Sequence, residues 1–194
     1  MARHIRNKVF IKKMAYSGAT ASHLLYYAEV ILDEKPNSII IHGGTNDLYG
    51  RYKNNKPAEE IAHDLINIGA KAKSRGVKKF FISSVLPIDD NSAYNGGLDV
   101  NIHLKQLCQA NNFIYICNSF LTLDDLKDAV HLTENGRIKL VNNYINYLNS
   151  YWLNQDFSET NDEDLAQIIE NNDIDVWTVR ELNIYKIPFL LIVI

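Results

Sequence analysis

Short apolar runs alternate along this chain with longer segments in which apolar residues recur every three or four positions. The short runs predict strands at 8–15, 38–43, 77–86 and 113–117, and the periodic segments predict helices that begin near positions 20, 57, 98 and 133. Strands and helices that alternate with short connections predict an α/β fold, in which a doubly wound parallel sheet forms the middle of three layers, α/β/α.

The stretch 38–47, S-I-I-I-H-G-G-T-N-D, combines the clearest strand signal with a polar end. Three isoleucines in a row predict a strand that is buried on both faces. Gly43 and Gly44 let the chain bend, and Thr45, Asn46 and Asp47 follow at the carboxyl end of the strand, where ligands bind in open parallel sheets. Turns also prefer glycine, asparagine and aspartate, so this stretch alone does not distinguish a site from an ordinary turn.

The segment 154–194 differs in composition from the rest of the chain. It holds nine acidic and two basic residues, whereas residues 1–153 hold 14 acidic and 18 basic ones, and it ends in an apolar run at 188–194. We therefore expect a folded domain at 1–153 and an acidic tail with an apolar end at 154–194. The basic residues of the domain are scattered rather than clustered, which predicts no nucleic-acid partner.

Several classes of protein are disfavoured by the motifs that the sequence lacks. Cys108 and Cys117 stand alone in apolar segments, which predicts buried reduced thiols rather than a disulfide or a zinc site. No histidine pair has a metal-ligand spacing and no glycine-rich phosphate loop is present, so we expect no metal and no cofactor. The chain shows neither an apolar signal region nor a run long enough to span a membrane, so we expect a cytoplasmic protein.

Three short motifs are informative because of the order in which they occur along the chain. Gly18 follows the first predicted strand, G-T-N-D at 44–47 follows the second, and D-A-V-H at 128–131 precedes the last helix. Each pattern is common by chance, but the three in this order form a specific signal. The set resembles the SGNH (GDSL-type) hydrolases, a family of esterases and lipases with a flavodoxin-like doubly wound sheet, and the resemblance extends over 8–153.

The resemblance implies roles for four residues. His131 would be the general base that takes a proton from a serine nucleophile, and Asp128 would hold its imidazole in the required tautomer. Asn46, through its side-chain amide, and Gly18, through its backbone N–H, would donate hydrogen bonds to the oxyanion of the transition state. Asp47 is expected to anchor its loop instead. Without the other motifs, the better interpretation of His131 would be a surface histidine beside a capping aspartate.

The nucleophile of the family lies in a Gly-Asp-Ser block at the end of the first strand, and residues 1–17 contain no such block. The sequence therefore predicts a chain that begins after the nucleophile. Ser17 lies in the turn before Gly18, and Ser83 and Ser84 end a neighbouring strand, so we expect none of them to replace it. As written, the chain is expected to be inactive as an esterase.

The missing first strand would leave a gap in the sheet. In the family this strand is central, with the strands predicted here at 8–15 and 38–43 on its two sides. An empty position would leave two rows of buried backbone groups unpaired, at about 1–3 kcal/mol for each group. Because 188–194 has the pattern of a fully buried strand, we expect it to fill the gap; the alternative is that it packs loosely or aggregates.

Two functions are therefore open. The first is an SGNH-type carboxylester hydrolase for small acyl esters such as O-acetyl groups, represented by a truncated chain. The second is a catalytically inactive protein that binds an ester or a glycan, or scaffolds a partner, through the retained pocket. A Gly-Asp-Ser block encoded upstream of Met1 would favour the hydrolase. In both cases the loops 48–56 and 89–97 would shape the pocket, which four side chains could line: Tyr49, Arg51, Tyr52 and Tyr94.

Overall fold

The computed structural model describes residues 9–54, 56–153, 176–179 and 189–193. Strands and helices alternate through the first 153 residues, as the hydrophobic pattern predicts. In chain order the elements are β1 (Val9–Met14), α1 (Ala21–Tyr26), α2 (Ala28–Asp33), β2 (Ser38–His42), α3 (Thr45–Leu48), α4 (Ala58–Ser74), β3 (Lys79–Ser83), α5 (Asn91–Asn111), β4 (Ile114–Ile116), a 3-10 turn (Leu123–Asp125), α6 (Glu134–Leu153), β5 (Val176–Val179) and β6 (Phe189–Val193).

The described strands form one sheet in the order β4-β3-β2-β6-β1-β5. β5 pairs antiparallel with β1 at one edge, and the other neighbours are parallel. Ile39 and Ile41 on one face of β2 belong to a core that includes residues of α1, α2, α4 and α5. On the other face, the ring of Phe81 meets Tyr151 of α6 edge-on, with the centroids 5.9 Å apart. The predicted three-layer, doubly wound α/β fold is confirmed.

β6 lies between β1 and β2 and runs parallel to both. Leu190 pairs with Ile11 on one side and with Ser38 on the other, and Val193 pairs with Met14 and with Ile41. The expectation that the terminal apolar run fills this gap is confirmed for 189–193. Backbone groups of β1 and β2 that would otherwise face an empty position therefore have partners. Most of the acidic tail lies outside the described residues, so the division into 1–153 and 154–194 stays a prediction.

The helix predicted after Thr20 is divided into two. Thr20 caps its start, because Oγ1 of Thr20 accepts the N–H of His23 at 3.4 Å and the N–H of Thr20 donates to Nδ1 of His23 at 3.3 Å. At Tyr27 the backbone has φ −79° and ψ 0°, and α2 begins at the next residue. The apolar periodicity continues across this break, which is why the pattern did not reveal it.

α5 begins at Asn91, so the predicted loop at 89–97 is helical from 91 onward. Asp90 caps the helix, with Oδ1 accepting the N–H of Ala93 at 2.9 Å. Gly96 lies within the helix beside Leu48, whose Cδ2 would be 2.9 Å from a Cβ at that position. The loop prediction was wrong because this glycine serves close packing between α5 and α3 rather than a turn.

The prediction that both cysteines are buried holds for only one of them. Cys108 is buried in α5, as predicted, whereas Cys117 is exposed. β4 has only three residues and ends at Ile116, so Cys117 falls in the loop beyond the sheet.

Within the described ranges, no helix combines the length and the apolar character needed to cross a membrane.

Candidate active site

The four predicted site residues follow three parallel strands at their carboxyl ends, the edge where ligands bind in sheets of this kind. Gly18 comes four residues after β1, Asn46 lies in α3 directly after β2, and the loop 128–131 comes between β4 and α6. The N–H of Asp89 donates to the carbonyl of Ala129 at 2.8 Å, which ties the loop 128–131 to the segment that follows β3. The loop is therefore held at this edge of the sheet.

Asp128 and His131 form a hydrogen-bonded pair. Nδ1 of His131 lies 2.9 Å from both carboxylate oxygens of Asp128. Oδ1 of Asp128 also accepts the backbone N–H of Val130 at 3.0 Å and that of His131 at 2.8 Å. These two backbone donors, followed by the imidazole, lower the pKa of Asp128 to about 2. The carboxylate is therefore ionised, and the loop backbone fixes its position.

The ionised carboxylate determines the tautomer of the neutral imidazole. Because a carboxylate only accepts hydrogen bonds, the ring proton of His131 lies on Nδ1, and Nε2 is the basic nitrogen. In the part of the chain that the structure describes, Nε2 has no hydrogen-bond partner, and the side chain of His131 is 69% exposed. This nitrogen is available to take a proton from a ligand.

Asn46 lies beside the turn that contains Gly18. Its Nδ2 donates to the carbonyl oxygen of Ala19 at 3.0 Å. Since that oxygen can only accept, the contact fixes the amide with its nitrogen toward the turn. An amide nitrogen carries two hydrogens, and the second one has no acceptor among the described residues.

Gly18 has φ +72°, and a Cβ at this position would come 2.6 Å from Cε2 of Tyr52. The positive φ favours glycine here, and a side chain at this position would have to displace the ring of Tyr52. The turn is closed by the N–H of Ala19, which donates to the carbonyl of Tyr16 at 3.0 Å, while the N–H of Gly18 has no acceptor within the described ranges. Two donors are thus free near one another, but no hydrogen bond between described residues joins them to His131.

Asp47 is fully buried and connects two parts of this edge. Its Oδ2 accepts the N–H of Ala21 at the start of α1 at 2.8 Å, and its Oδ1 accepts Nδ2 of Asn54 in the following loop at 2.8 Å. Burial raises the pKa of Asp47, although both hydrogen bonds oppose that shift. The expectation that Asp47 anchors its loop is confirmed.

Ser83 and Ser84 are 0% and 3% exposed, so a substrate cannot reach either hydroxyl. Oγ of Ser83 lies 2.9 Å from Nδ1 of His42 and accepts hydrogen bonds from Tyr144 Oη and Asn118 Nδ2, each at 2.8 Å. Oγ of Ser84 accepts the backbone N–H of Asn118 at 3.0 Å. Neither serine contacts His131, and the expectation that they do not replace the nucleophile is consistent with this geometry.

The side chains of His42, Ser83, Asn118 and Tyr144 form one hydrogen-bonded cluster. Oγ of Ser83 accepts from Tyr144 and Asn118 and lies 2.9 Å from Nδ1 of His42, which is also 3.1 Å from Oη of Tyr144. Burial lowers the pKa of His42 to about 4, so its ring is neutral at pH 7. Burial also raises the pKa of Tyr144, which keeps its hydroxyl a donor. We call these four residues the buried serine network.

The sequence pattern did not indicate this network. A signal existed, since His42 and Ser83 are polar residues at the ends of adjacent apolar runs, and the register places them opposite each other. Asn118 and Tyr144 carried no such signal, because a loop and an amphipathic helix face contain polar residues in any case. Among the described residues, no three acidic, histidine or cysteine side chains are grouped so that they could hold a metal ion.

Solved structures match more than two thirds of this chain. A GDSL-like lipase from Bacteroides thetaiotaomicron superposes with a TM-score of 0.63 at 18% identity, covering 70% of this chain and 73% of that chain. The fold is that of the SGNH hydrolases. A carbohydrate acetylesterase from Sinorhizobium meliloti gives a TM-score of 0.60 at 17% identity over 70% and 75% of the two chains. An acetyl xylan esterase gives 0.59 at 16% identity over 68% and 77%.

The likeness to SGNH structures confirms the resemblance inferred from Gly18, 44–47 and 128–131 at the level of fold. No family model matches the sequence, and no curated protein matches it. At identities of 16–18%, the superposition establishes the arrangement of strands and helices and not the chemistry. The roles of Gly18, Asn46, Asp128 and His131 therefore stay predictions.

Proposed function

We propose that this chain carries the general-base and oxyanion half of an SGNH-type carboxylester hydrolase site, and that residues 1–194 alone do not turn over esters. The observation that carries the proposal is the Asp128–His131 pair. Its Nδ1 is bonded at 2.9 Å to an ionised carboxylate, while Nε2 has no partner among the described residues. This is the state that a general base requires before the reaction begins.

We assign to these groups the proton transfers and the oxyanion stabilisation of an acyl-transfer reaction. Nε2 of His131 takes the proton of an attacking hydroxyl while the hydroxyl oxygen bonds to the ester carbonyl carbon, and it then gives that proton to the departing alcohol. The N–H of Gly18 and the free amide hydrogen of Asn46 donate to the oxygen that becomes negative. Loss of one such donor typically costs ~2.7–4 kcal/mol of transition-state stabilisation.

The proposed substrates are small acyl esters, O-acetyl groups on carbohydrates in particular. Two of the solved structures with this fold are described as a carbohydrate acetylesterase and an acetyl xylan esterase. The side of the candidate site formed by residues 49–56 is polar and aromatic in sequence, Y-G-R-Y-K-N-N-K, which suits a hydroxyl-rich ligand.

The test supplies the hydroxyl that the proposal requires. A segment that forms a strand ending in Gly-Asp-Ser and then a crossover helix is joined ahead of Met1 in a chain without residues 180–194, so that the strand can occupy the place of β6 between β1 and β2, parallel to both. We expect hydrolysis of p-nitrophenyl acetate above that of a matched Gly-Asp-Ala graft. The gain should disappear in grafts that also carry His131→Ala or Asn46→Ala. A Gly-Asp-Ser graft that melts cooperatively and hydrolyses no more than its Gly-Asp-Ala control would contradict the proposal.

A second candidate function is an inactive protein that binds an ester or a glycan. The burial of Ser83 and Ser84 favours it, because these two serines at the end of β3 are committed to internal hydrogen bonds. Calorimetric titration of the unmodified protein with an acetylated xylo-oligosaccharide tests it. Binding by the unmodified protein, together with a folded but inactive Gly-Asp-Ser graft, would favour this second function.

A further inference from the structure

The loop at 49–56 is held over the Gly18 turn by its own hydrogen bonds. The N–H of Asn54 donates to the carbonyl of Asp47 at 3.1 Å, and the Asn54 side chain donates to the Asp47 carboxylate at 2.8 Å. At the far end, Nζ of Lys56 lies 2.6 Å from Asp64 and 2.8 Å from Oγ of Ser22. Both ends of the loop are therefore attached to buried or half-buried groups, and its middle is positioned before any ligand arrives.

The middle of this loop presents an aromatic ring and a cation next to Gly18. The ring of Tyr52 packs against Gly18, with its Cε2 2.6 Å from the position that a Cβ would take, yet Tyr52 is 49% exposed. The guanidinium carbon of Arg51 lies 5.8 Å from the centroid of the same ring. A ligand group at the N–H of Gly18 thus has Tyr52 as its neighbour, with Arg51 beyond it.

The charge of this loop is one-sided. It contains Arg51, Lys53 and Lys56 and no acidic residue. Lys56 is paired with Asp64, but Arg51 and Lys53 have no carboxylate partner within the part of the chain that the structure describes. An exposed aromatic ring beside unpaired cations suits an anionic, hydroxyl-rich ligand better than a lipid chain, which would remove water from Arg51 without replacing it.

We infer that Tyr52 and Arg51 form a binding subsite for a carboxylate-bearing saccharide, an acylated uronic-acid oligosaccharide, whose ester group lies at Gly18. The inference rests on the proposed function. The C–H face of a sugar ring meets the face of the Tyr52 ring opposite to Arg51, and the planar guanidinium of Arg51 binds the uronate carboxylate at the ring edge through two parallel hydrogen bonds. Tyr52 contributes to binding any saccharide here, whereas Arg51 selects the charged one.

Calorimetric titrations with two ligands test this division of roles: an acetylated xylo-oligosaccharide with a glucuronic acid branch and the same oligosaccharide without it. The unmodified protein should bind the acidic ligand about tenfold more tightly, as expected for a hydrogen bond to a charged group. Arg51→Gln should abolish that preference and leave the neutral ligand unchanged. Tyr52→Leu, which keeps an apolar side chain against Gly18, should weaken both ligands about tenfold.

Matched controls separate the subsite from general surface effects. Lys105→Gln removes an exposed cation on α5, and Tyr26→Ala removes a ring that is 79% exposed on α1; neither should alter binding. Unchanged affinities in Arg51→Gln and Tyr52→Leu, or equal losses in Lys105→Gln and Tyr26→Ala, would overturn the inference. So would the absence of binding by the unmodified protein, even if the Gly-Asp-Ser graft hydrolyses p-nitrophenyl acetate and thereby supports the proposed function.

Discussion

Two histidines of this protein each lie 2.9 Å from an oxygen atom, in very different surroundings. His131 contacts the carboxylate of Asp128 in an exposed loop, and its second ring nitrogen is open. His42 contacts the hydroxyl of Ser83 at the ends of β2 and β3, and this serine is completely buried. The second pair has the composition of a nucleophile and its base, yet the first is the one available for chemistry.

The two imidazoles differ in the hydrogen bonds that surround them. In the buried serine network, the hydroxyl of Ser83 accepts from Tyr144 of α6 and from Asn118 of the loop after β4, which attaches both to the sheet, and its contact with His42 joins β3 to β2. In the loop 128–131, backbone N–H groups hold the carboxylate of Asp128, and Nε2 of His131 has no hydrogen-bond partner among the described residues. Residue types alone do not identify a catalytic pair; accessibility and the remaining hydrogen-bond capacity do.

The largest expected effect is a pH dependence of stability caused by His42. Its pKa is about 4 in the folded protein and about 6.5 in the unfolded chain, so between these values the unfolded chain binds the proton more readily. The free energy of unfolding should therefore be highest above pH 6.5 and should fall by up to about 3 kcal/mol as the pH is lowered to 4. Urea unfolding at pH 7, 5 and 4 measures it.

The control for this prediction is His42→Gln, which removes the titrating group. Because carboxylates of the protein also titrate in this range, the informative quantity is the difference between the unmodified protein and the variant at each pH. That difference should change by up to about 3 kcal/mol between pH 7 and pH 4. A constant difference would show that His42 is not neutral in the folded protein.

The next effect in size concerns Ser83 itself. Ser83→Ala leaves His42, Tyr144 and Asn118 without their shared partner, and the free energy of unfolding should fall by about 1–3 kcal/mol. His131→Ala, in the exposed loop, should change it by no more than about 0.5 kcal/mol. Urea midpoints of the two variants at pH 7 provide the measurement, and equal midpoints would remove the contrast between the two histidines.

The Asp128–His131 pair, which the sequence predicted, and the buried serine network, which it missed, differ in how far apart their residues lie along the chain. Asp128 and His131 are three residues apart, so one turn of chain brings them together and the motif carries the geometry. Ser83, Asn118 and Tyr144 come from a strand, a loop and a helix, and only the assembled fold makes them neighbours. For the same reason the helical start of α5 at Asn91 was missed, since the role of Gly96 depends on Leu48 of another helix.

The sheet was predictable where the apolar run is continuous, as at 39–41 and in the terminal run that became β6. The register of β6 against β1 and β2 could not be predicted, because a uniformly apolar strand contains no alternation that fixes its pairing. β5 was not predicted either. Its four residues follow an acidic segment, and a short edge strand leaves a weak pattern.

The smallest effect tests whether the loop backbone alone keeps Asp128 ionised. In His131→Ala the backbone N–H groups of Val130 and of residue 131 remain, and these are the largest causes of the low pKa. We therefore expect the pKa of Asp128 to stay well below the ordinary 3.8 in this variant, as followed by the carboxyl ¹³C shift during an acid titration. A midpoint near 3.8 would mean that the imidazole, rather than the loop, holds the carboxylate.

The central claim is that Nε2 of His131 is open to a ligand, while Ser83 and Ser84 at the end of β3 are closed to substrate. The most direct measurement treats residues 1–194 with a fluorophosphonate and with p-nitrophenyl acetate, alongside the Asn46→Ala, His131→Ala double variant. We predict no phosphonylated serine in the peptide map and equal hydrolysis by the two proteins. A label on Ser83 or Ser84, with hydrolysis that the double variant loses, would contradict the account.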